Sequence, residues 1–201
     1  YKMLKNQQQR LDLQSADKMI ENVIGVMGMP VGLGLNFSIN NKDYVVPLAV
    51  EEPSIVAALS SAAKIARESG GYTADATDPI LVGQIQVVNI QNIEQARNNL
   101  LNRKEEILNL ANSLHPRMVA RGGGALDFKI KTYPMESFDG EMLIIDLHVN
   151  TVDAMGANLV NGMCEGIASL VETITEGEVF LRILSNLTDQ SLASATVIIP
   201  A

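Results

Sequence analysis

The sequence has 201 residues and a formal net charge of −8, with 15 Lys and Arg against 23 Asp and Glu. Hydrophobic residues make up 47% of it, which is ample for a packed core and excludes a mainly disordered chain. The acidic balance and the aromatic content of 4% argue against nucleic-acid binding through phosphates or stacked bases. A single cysteine excludes an internal disulfide, and no apolar run is long enough to span a membrane, so we expect a cytoplasmic protein.

The first part of the chain predicts a mixture of helix and strand. Residues 1–20 are polar and then amphipathic, which is typical of a helix or a loose arm. Two β-rich runs, 36–39 and 44–50, flank an Asn-rich turn and predict a hairpin. The alanine-rich run 55–69 predicts a helix that ends at a pair of glycines.

From residue 83 onward the predicted elements follow one another more regularly. They are a strand at 84–90, a helix at 92–114, strands at 127–133 and 141–149, a helix at 153–175 and a strand at 179–184. This β-α-β-β-α-β order is that of the split βαβ, ferredoxin-like fold. We therefore predict an α+β protein in which residues 83–185 form a small ferredoxin-like domain. It is inserted into a partial larger α/β domain made of residues 1–82 and 186–201.

Two adjacent carboxylates, Glu51 and Glu52, lie where a predicted strand meets a predicted helix. Neighbouring side chains of a strand point to opposite faces, so one of the two can face inward. Enclosure by apolar neighbours such as Val50 and Ile55 would raise the pKa of that glutamate and let it act as a general acid near neutral pH. In the alternative, the acids only complement the positive end of the helix dipole.

The second candidate site is a turn that follows a predicted strand and opens a predicted helix. It consists of Asp153, Ala154, Met155, Gly156, Ala157 and Asn158. The small residues leave room for close backbone approach, and the free N–H groups of the first helical turn attract anions such as a pyrophosphate. In the alternative, Asp153 only caps the helix and the small residues only pack on the sheet.

A basic segment with three consecutive glycines lies between the long predicted helix and the next strand. It carries His115, Arg117 and Arg121, and it could bind a phosphate; the alternative is a solvated loop. His148 lies within an apolar strand and Cys164 within a helix, and both are predicted to be structural residues. No His and Cys spacing typical of a metal site occurs in the sequence.

Five segments together resemble the class II (bacterial-type) hydroxymethylglutaryl-CoA (HMG-CoA) reductases. They are ENVIG at 21–25, NFSIN at 36–40, VPLAVEEPS at 46–54, DAMGAN at 153–158 and LRILSNL at 181–187. Each motif alone is weakly specific, whereas five in this order and spacing are specific. The resemblance covers nearly the whole chain.

The resemblance implies a reductase of the mevalonate and isoprenoid pathway that converts HMG-CoA to mevalonate and CoA by two hydride transfers from NAD(P)H. It places the proton-donating catalytic glutamate at Glu52 and a substrate contact at Ser54. It also places an asparagine that orients the family's lysine at Asn186 and a CoA contact at Lys2. The turn at 153–158 then corresponds to the dinucleotide-binding motif. A homodimer with its active site at the subunit interface is implied as well.

The family's catalytic lysine, aspartate and C-terminal histidine match no position of this sequence. We therefore expect these 201 residues alone to have no reductase activity. A competing hypothesis is a non-catalytic ferredoxin-like module for ligand binding or oligomerisation, although such a module would not need the Glu52 motif.

The cofactor preference follows from charge. A ribose 2′-phosphate requires cationic partners, whereas a 2′-hydroxyl is favoured by a carboxylate. The basic segment offers His115, Arg117 and Arg121 and contains no acid. We therefore predict NADPH as the cofactor, with NADH as the alternative.

Overall fold

The computed structural model of the chain describes residues 11–134 and 140–200. The strands are β1 (Val31–Ile39), β2 (Lys42–Ala49), β3 (Thr73–Ala76), β4 (Ile80–Val88), β5 (Gly124–Pro134), β6 (Glu141–Asn150), β7 (Glu178–Leu184) and β8 (Ala193–Thr196). The helices are α1 (Leu13–Asp17), α2 (Ile55–Glu68), α3 (Ile93–Asn102), α4 (Lys104–Ser113), α5 (Pro116–Val119) and α6 (Ala157–Thr175). In this described part of the chain, none of the helices has the length and apolarity that crossing a membrane requires.

The chain divides into two compact units. Unit 1 contains the residues up to Ala74 and those from Ala195 onward, and unit 2 extends from Asp75 to Ser194. The chain passes from one unit to the other within the short strands β3 and β8, which pair with each other.

Unit 1 is built on the hairpin of β1 and β2, which confirms the predicted hairpin. Its turn uses Asn40 and Asn41, whose φ values of 51° and 61° lie in the left-handed region. Asparagine tolerates that region, and a two-residue hairpin turn requires it. Helix α2 packs closely on β1, since a Cβ added at Gly32 would lie 3.1 Å from Val56 Cγ2. The glycines therefore set how near the helix lies to the hairpin.

Unit 2 contains a four-stranded antiparallel sheet with the strand order β5-β6-β4-β7. Ile145 on β6 lies opposite Ile85 on β4 and Ile130 on β5. Helices α3, α4 and α6 contribute the rest of the core against one face of this sheet. The core includes the fully buried Ile85, Val87, Leu100, Ile107, Leu143, Ile145, Leu147, Val149, Val160, Met163, Ile167 and Val171. Cys164 is buried among them, as predicted, and burial raises the pKa of its thiol to about 12.

The opposite face of the sheet carries polar residues, because side chains alternate along β6. Asp146 is buried there; it accepts a hydrogen bond from Gln84 Nε2 at 3.1 Å and pairs with Lys131 Nζ at 2.7 Å. His148 is buried on the same face, opposite Val82 on β4. Desolvation by burial lowers the pKa of His148. Polar contacts therefore contribute to holding this face, alongside the buried apolar side chain of Val82.

The elements from β4 to β7 follow the predicted order, except that the long predicted helix is divided and the short helix α5 is added. The single helix predicted at 92–114 is wrong, because Arg103 leaves the helical conformation (φ −106°, ψ 22°) and separates α3 from α4. The start of α3 is as predicted, since Asn92 Oδ1 accepts a hydrogen bond from Gln95 N at 3.0 Å. At the break, the Arg103 side chain pairs with Glu106 at 2.7 Å.

Candidate functional site

A groove of about 570 Å³ in unit 1 surrounds the strand-to-helix corner between β2 and α2. We call it the Glu52 groove; its lining includes Gly32, Glu51, Glu52, Ser54 and Ser60. The end of β2 is tied to the segment before β1 by a hydrogen bond from Val50 N to Pro30 O at 3.1 Å. Glu51, Glu52 and Ser54 thus line one concave surface.

Ser54 has a strained backbone at the start of α2. Its φ of 68° lies in the left-handed region, which is uncommon for a residue with a side chain. Its carbonyl accepts the first helical hydrogen bond from Ala58 N at 2.8 Å, while its hydroxyl makes no capping bond. Strain of this kind costs on the order of 1–3 kcal/mol and is concentrated at functional sites. The hydroxyl is available for a ligand in the groove.

The apolar enclosure predicted for Glu52 is wrong within this chain. Glu52 is exposed, Val50 is only half-buried, and Ile55 is 42% exposed. The physical reason is that residues 51–55 are exposed throughout, so the corner has no apolar cover from its own neighbours. Desolvation of this carboxylate therefore needs groups that contact the corner from elsewhere.

A second groove, of about 420 Å³, lies in unit 2. We call it the His115 groove; it is lined by Leu114, His115, Pro116, Arg117, Met118, Arg121 and Leu159. The structure thus brings together the three predicted cofactor cations. His115 is half-buried, whereas Arg117 and Arg121 are exposed. The groove therefore combines one half-buried imidazole with two exposed guanidinium groups.

The glycine run joins this groove to the turn after β6. A Cβ added at Gly123 would lie 2.7 Å from both Met118 Sδ and Asn150 O, so only glycine fits there. The same Cβ would lie 2.9 Å from Val152 Cγ2. The basic segment and the turn that carries the second predicted site are consequently in direct contact.

The turn after β6 is strained and tightly packed. Thr151 is buried and donates from its N–H to Pro79 O at 3.0 Å. Val152 has a φ of 54°, which is costly for a β-branched residue, and its N–H donates to Asn150 Oδ1 at 2.8 Å. Gly156 has a φ of 82°, and an added Cβ would overlap the Thr151 side chain. The surrounding contacts hold this backbone in a conformation that it would not adopt alone.

The predicted helix start at Asp153, with Asp153 as its cap, is wrong. Helix α6 begins at Ala157 with Gly156 as its cap, and Asp153 lies in the preceding turn, which Ala154 N closes with Thr151 O. The first helical bond runs from Val160 N to Gly156 O at 3.0 Å. The N–H groups of residues 157–159 come before the first helical donor and therefore have no acceptor within the helix. They lie at the positive end of a 19-residue helix. Leu159 belongs to this turn and also lines the His115 groove, so the first turn of α6 lies beside the basic segment.

The structure says less about the two remaining predicted site residues, Asn186 and Lys2. Asn186 is exposed and follows β7; its carbonyl accepts from Thr188 Oγ1 at 3.5 Å. It belongs to unit 2, whereas Glu52 belongs to unit 1. Lys2 lies outside the described residues. The sequence reasoning missed the apolar lining of the His115 groove (Leu114, Met118 and Leu159), although Leu159 directly follows the predicted turn.

The comparisons with known proteins all lead to one family. The model of the hydroxymethylglutaryl-coenzyme A reductase family matches residues 2–201. The chain is 48% identical over 190 residues to the 3-hydroxy-3-methylglutaryl-coenzyme A reductase of Archaeoglobus fulgidus, covering 94% of this chain and 43% of that protein. It is 32% identical to the probable enzyme of Borreliella burgdorferi, covering 90% and 40%. The chain thus spans less than half the length of these curated relatives.

A solved structure extends the likeness to the fold. The class II 3-hydroxy-3-methylglutaryl-CoA reductase of Streptococcus pneumoniae, bound to NADPH in open conformations, superimposes with a TM-score of 0.87 at 35% identity. The match covers 96% of this chain and 46% of that one. Because the match covers 96% of this chain, it includes residues of both units.

Proposed function

Since the chain belongs to the hydroxymethylglutaryl-coenzyme A reductase family, we propose that the protein takes part in the reduction of HMG-CoA to mevalonate and CoA by two hydride transfers from NADPH. The observation that carries this proposal is the family match, which extends over residues 2–201 and thus over both units. A non-catalytic ferredoxin-like module is not favoured, because such a module would account for unit 2 alone.

Glu52 is the proposed proton donor. Hydride attack on a thioester carbonyl builds negative charge on its oxygen, and a neutral carboxylic acid can donate to that oxygen. Ser54 has a strained backbone, and its hydroxyl makes no capping hydrogen bond to α2. It is the proposed contact to the hydroxymethylglutaryl group. Lys2 is proposed to contact CoA, and Asn186 to orient a catalytic lysine that this chain does not contain.

The exposure of Glu52 in the single chain supports a further part of the proposal. A carboxylic acid stays protonated near neutral pH only where it is desolvated or hydrogen-bonded in its neutral form. The corner at 51–55 supplies no such cover from its own residues. We therefore propose a homodimer whose subunit interface encloses Glu52 and forms the active site there, in a cytoplasmic enzyme.

The His115 groove is the proposed site for NADPH, which supplies the hydride when bound. Its residues fit a nucleotide, because His115, Arg117 and Arg121 offer cationic or N–H donors to a ribose 2′-phosphate. The first turn of α6 offers free backbone N–H groups to a pyrophosphate. NADH remains the alternative cofactor, since it shares every group except the 2′-phosphate.

We also propose that residues 83–185 are an inserted ferredoxin-like domain, with 1–82 and 186–201 belonging to the larger domain. The strand order β5-β6-β4-β7 supports this. The central strands of the sheet are β4 and β6, which are the first and third strands of the β-α-β-β-α-β unit. The split βαβ arrangement requires this placement.

Replacement of the proposed acid tests the function. We define the complete enzyme as this chain together with any further sequence that its natural polypeptide carries. In the complete enzyme, we expect Glu52→Gln to lower kcat by about 10²–10⁴-fold, the usual contribution of a general acid, with little change in folding. Mevalonate formation and the circular dichroism melt are measured together.

The neighbouring change Glu51→Gln is the matched control, and we expect a much smaller effect from it. Wild-type turnover by the Glu52→Gln enzyme would remove Glu52 from the mechanism. A wild-type complete enzyme that forms no mevalonate from HMG-CoA with either nicotinamide cofactor would overturn the proposed function itself.

A further inference from the structure

Helix α6 carries two glycines one turn apart, Gly162 and Gly166, on the side that meets the His115 groove. A Cβ added at Gly162 would lie 3.0 Å from His115 Nε2 and 3.5 Å from its Cε1. A Cβ added at Gly166 would overlap Leu114 Cδ1. The helix backbone therefore lies directly against two consecutive residues that line the groove.

The backbone of His115 is fixed at the start of α5. Its N–H donates to Asn112 O at 3.2 Å, and its carbonyl accepts from Met118 N at 3.0 Å. With the backbone held in this way, the position of the imidazole depends on the surface that the ring touches. That surface includes the Cα of Gly162, and the space beside it is too small for a Cβ to fit next to Nε2 without a shift of the ring.

The two arginines of the groove are less constrained than His115. Arg117 and Arg121 are exposed, whereas His115 is half-buried against α6. Long exposed side chains lose rotamer entropy when they grip an anion, and a ring already held in place loses little. The packed imidazole is therefore the donor in this groove whose recognition of a phosphate depends most on geometry.

We propose that Gly162 is a positioning residue that sets the His115 imidazole for recognition of the ribose 2′-phosphate, and so contributes to the preference for NADPH over NADH. The inference rests on the proposed function and deepens it. Any residue with a Cβ at this position pushes the ring by a few tenths of an ångström and misaligns its N–H donor. A cofactor without the 2′-phosphate does not use that donor.

The substitution Gly162→Ala in the complete enzyme tests the inference by binding as well as by turnover. Calorimetric titration uses adenosine 2′,5′-bisphosphate and, for comparison, 5′-AMP. We expect the affinity for the bisphosphate to fall by at least about threefold, part of the roughly tenfold that a charged hydrogen bond is worth, while 5′-AMP binding is unchanged. In steady state, KM for NADPH rises while KM for NADH does not, so the loss is in KM rather than in kcat.

Two further variants separate positioning from general disturbance. Gly166→Ala is the matched control on the same helix; it displaces the apolar Leu114, so any effect is equal for the two adenosine ligands. In a His115→Ala background, Gly162→Ala causes no further loss if Gly162 acts through the imidazole. Loss of folding is not expected, because replacing a helical glycine by alanine favours the helix by up to about 1 kcal/mol.

The outcomes distinguish the inference from the proposed function. Unchanged bisphosphate affinity in Gly162→Ala, or an equal loss for 5′-AMP, overturns the role of Gly162 even if the enzyme makes mevalonate. The same follows if the wild-type enzyme binds the bisphosphate no more tightly than 5′-AMP. Failure of the wild-type enzyme to make mevalonate overturns the proposed function, and the calorimetry still decides on Gly162.

Discussion

The two units bury very different side chains. In the described part of unit 1, the buried positions hold only small residues: Ala16, Gly34, Ala63 and Ala66. Its hairpin leaves large apolar side chains such as Val31, Leu33 and Val45 exposed. Unit 2 instead buries large aliphatic residues between its sheet and helices. A two-stranded sheet with one long helix cannot form a large core, whereas a four-stranded sheet with three long helices can.

This difference bears on the two grooves. The His115 groove lies in the unit whose core is complete, so its backbone framework is set by this chain alone. The Glu52 groove lies in the unit whose apolar side chains remain exposed, and the carboxylate there is exposed as well. The His115 groove thus lies in a unit that this chain packs by itself, while the environment of Glu52 depends on what covers unit 1.

The largest expected effect tests the core of unit 2. Ile145 is fully buried at the centre of the sheet, so Ile145→Ala removes buried methyl groups and leaves a cavity. We expect a loss of about 3–4 kcal/mol in the free energy of unfolding. Leu33→Ala on the exposed hairpin of unit 1 is the control, with an expected loss under about 1 kcal/mol. Urea denaturation measures both, and equal losses would mean that the two units are packed alike.

A smaller effect is expected on the polar face of the unit 2 sheet. Lys131→Met leaves the buried Asp146 carboxylate with Gln84 as its remaining described partner, and we expect a loss of about 1–2 kcal/mol. Lys64→Met, which removes an exposed ion pair with Glu68 on α2, is the control. Urea denaturation at pH 7 is suitable, because hydrogen bonding to Asp146 and its charge raise the pKa of Lys131 above 10.5, and the pair is intact below that range. If the two variants lose the same stability, this ion pair does not hold the face together.

The smallest effect concerns pH. Burial, with a further contribution from Lys129, lowers the pKa of His148 below its ordinary 6.5, against the opposing charges of Asp127, Asp146 and Asp189. The unfolded chain therefore binds this proton more readily than the folded one, so stability present above pH 6.5 is lost as the pH falls below it. We expect the wild-type protein to lose stability more steeply than His148→Gln between about pH 7 and about pH 5. Denaturation midpoints across that range provide the measurement, and parallel curves would contradict it.

Local sequence predicted the features that local physics determines. The asparagine-rich hairpin turn, the start of a helix at residue 92 and the order of elements in unit 2 all follow from residue type and periodicity. The break at Arg103 was missed because neither glycine nor proline marks it. The start of α6 was placed at Asp153 because an acid is a common cap, whereas the observed start depends on Gly156 fitting against Thr151.

The candidate sites divide in the same way. The grouping of His115, Arg117 and Arg121 follows from their closeness in sequence. The contact of this segment with α6 depends on two glycines far along the chain, Gly162 and Gly166, which no local pattern connects to it. The enclosure of Glu52 was wrong because burial is a tertiary property, and an apolar neighbour in sequence does not guarantee an apolar neighbour in space.

The pairing of β3 with β8 bears on the order in which the chain folds. These strands are separated along the chain by almost the whole of unit 2, yet they are direct neighbours, at a strand spacing of about 4.8 Å. Closing so long a loop in an unfolded chain has an entropy cost that grows with the logarithm of its length. Once the middle of the chain has collapsed into its sheet, that loop is already closed, and the late segment after Ala195 meets the early residues at little further cost. The connectivity therefore favours a nucleus in the middle of the chain, with the two flanking stretches joining afterwards.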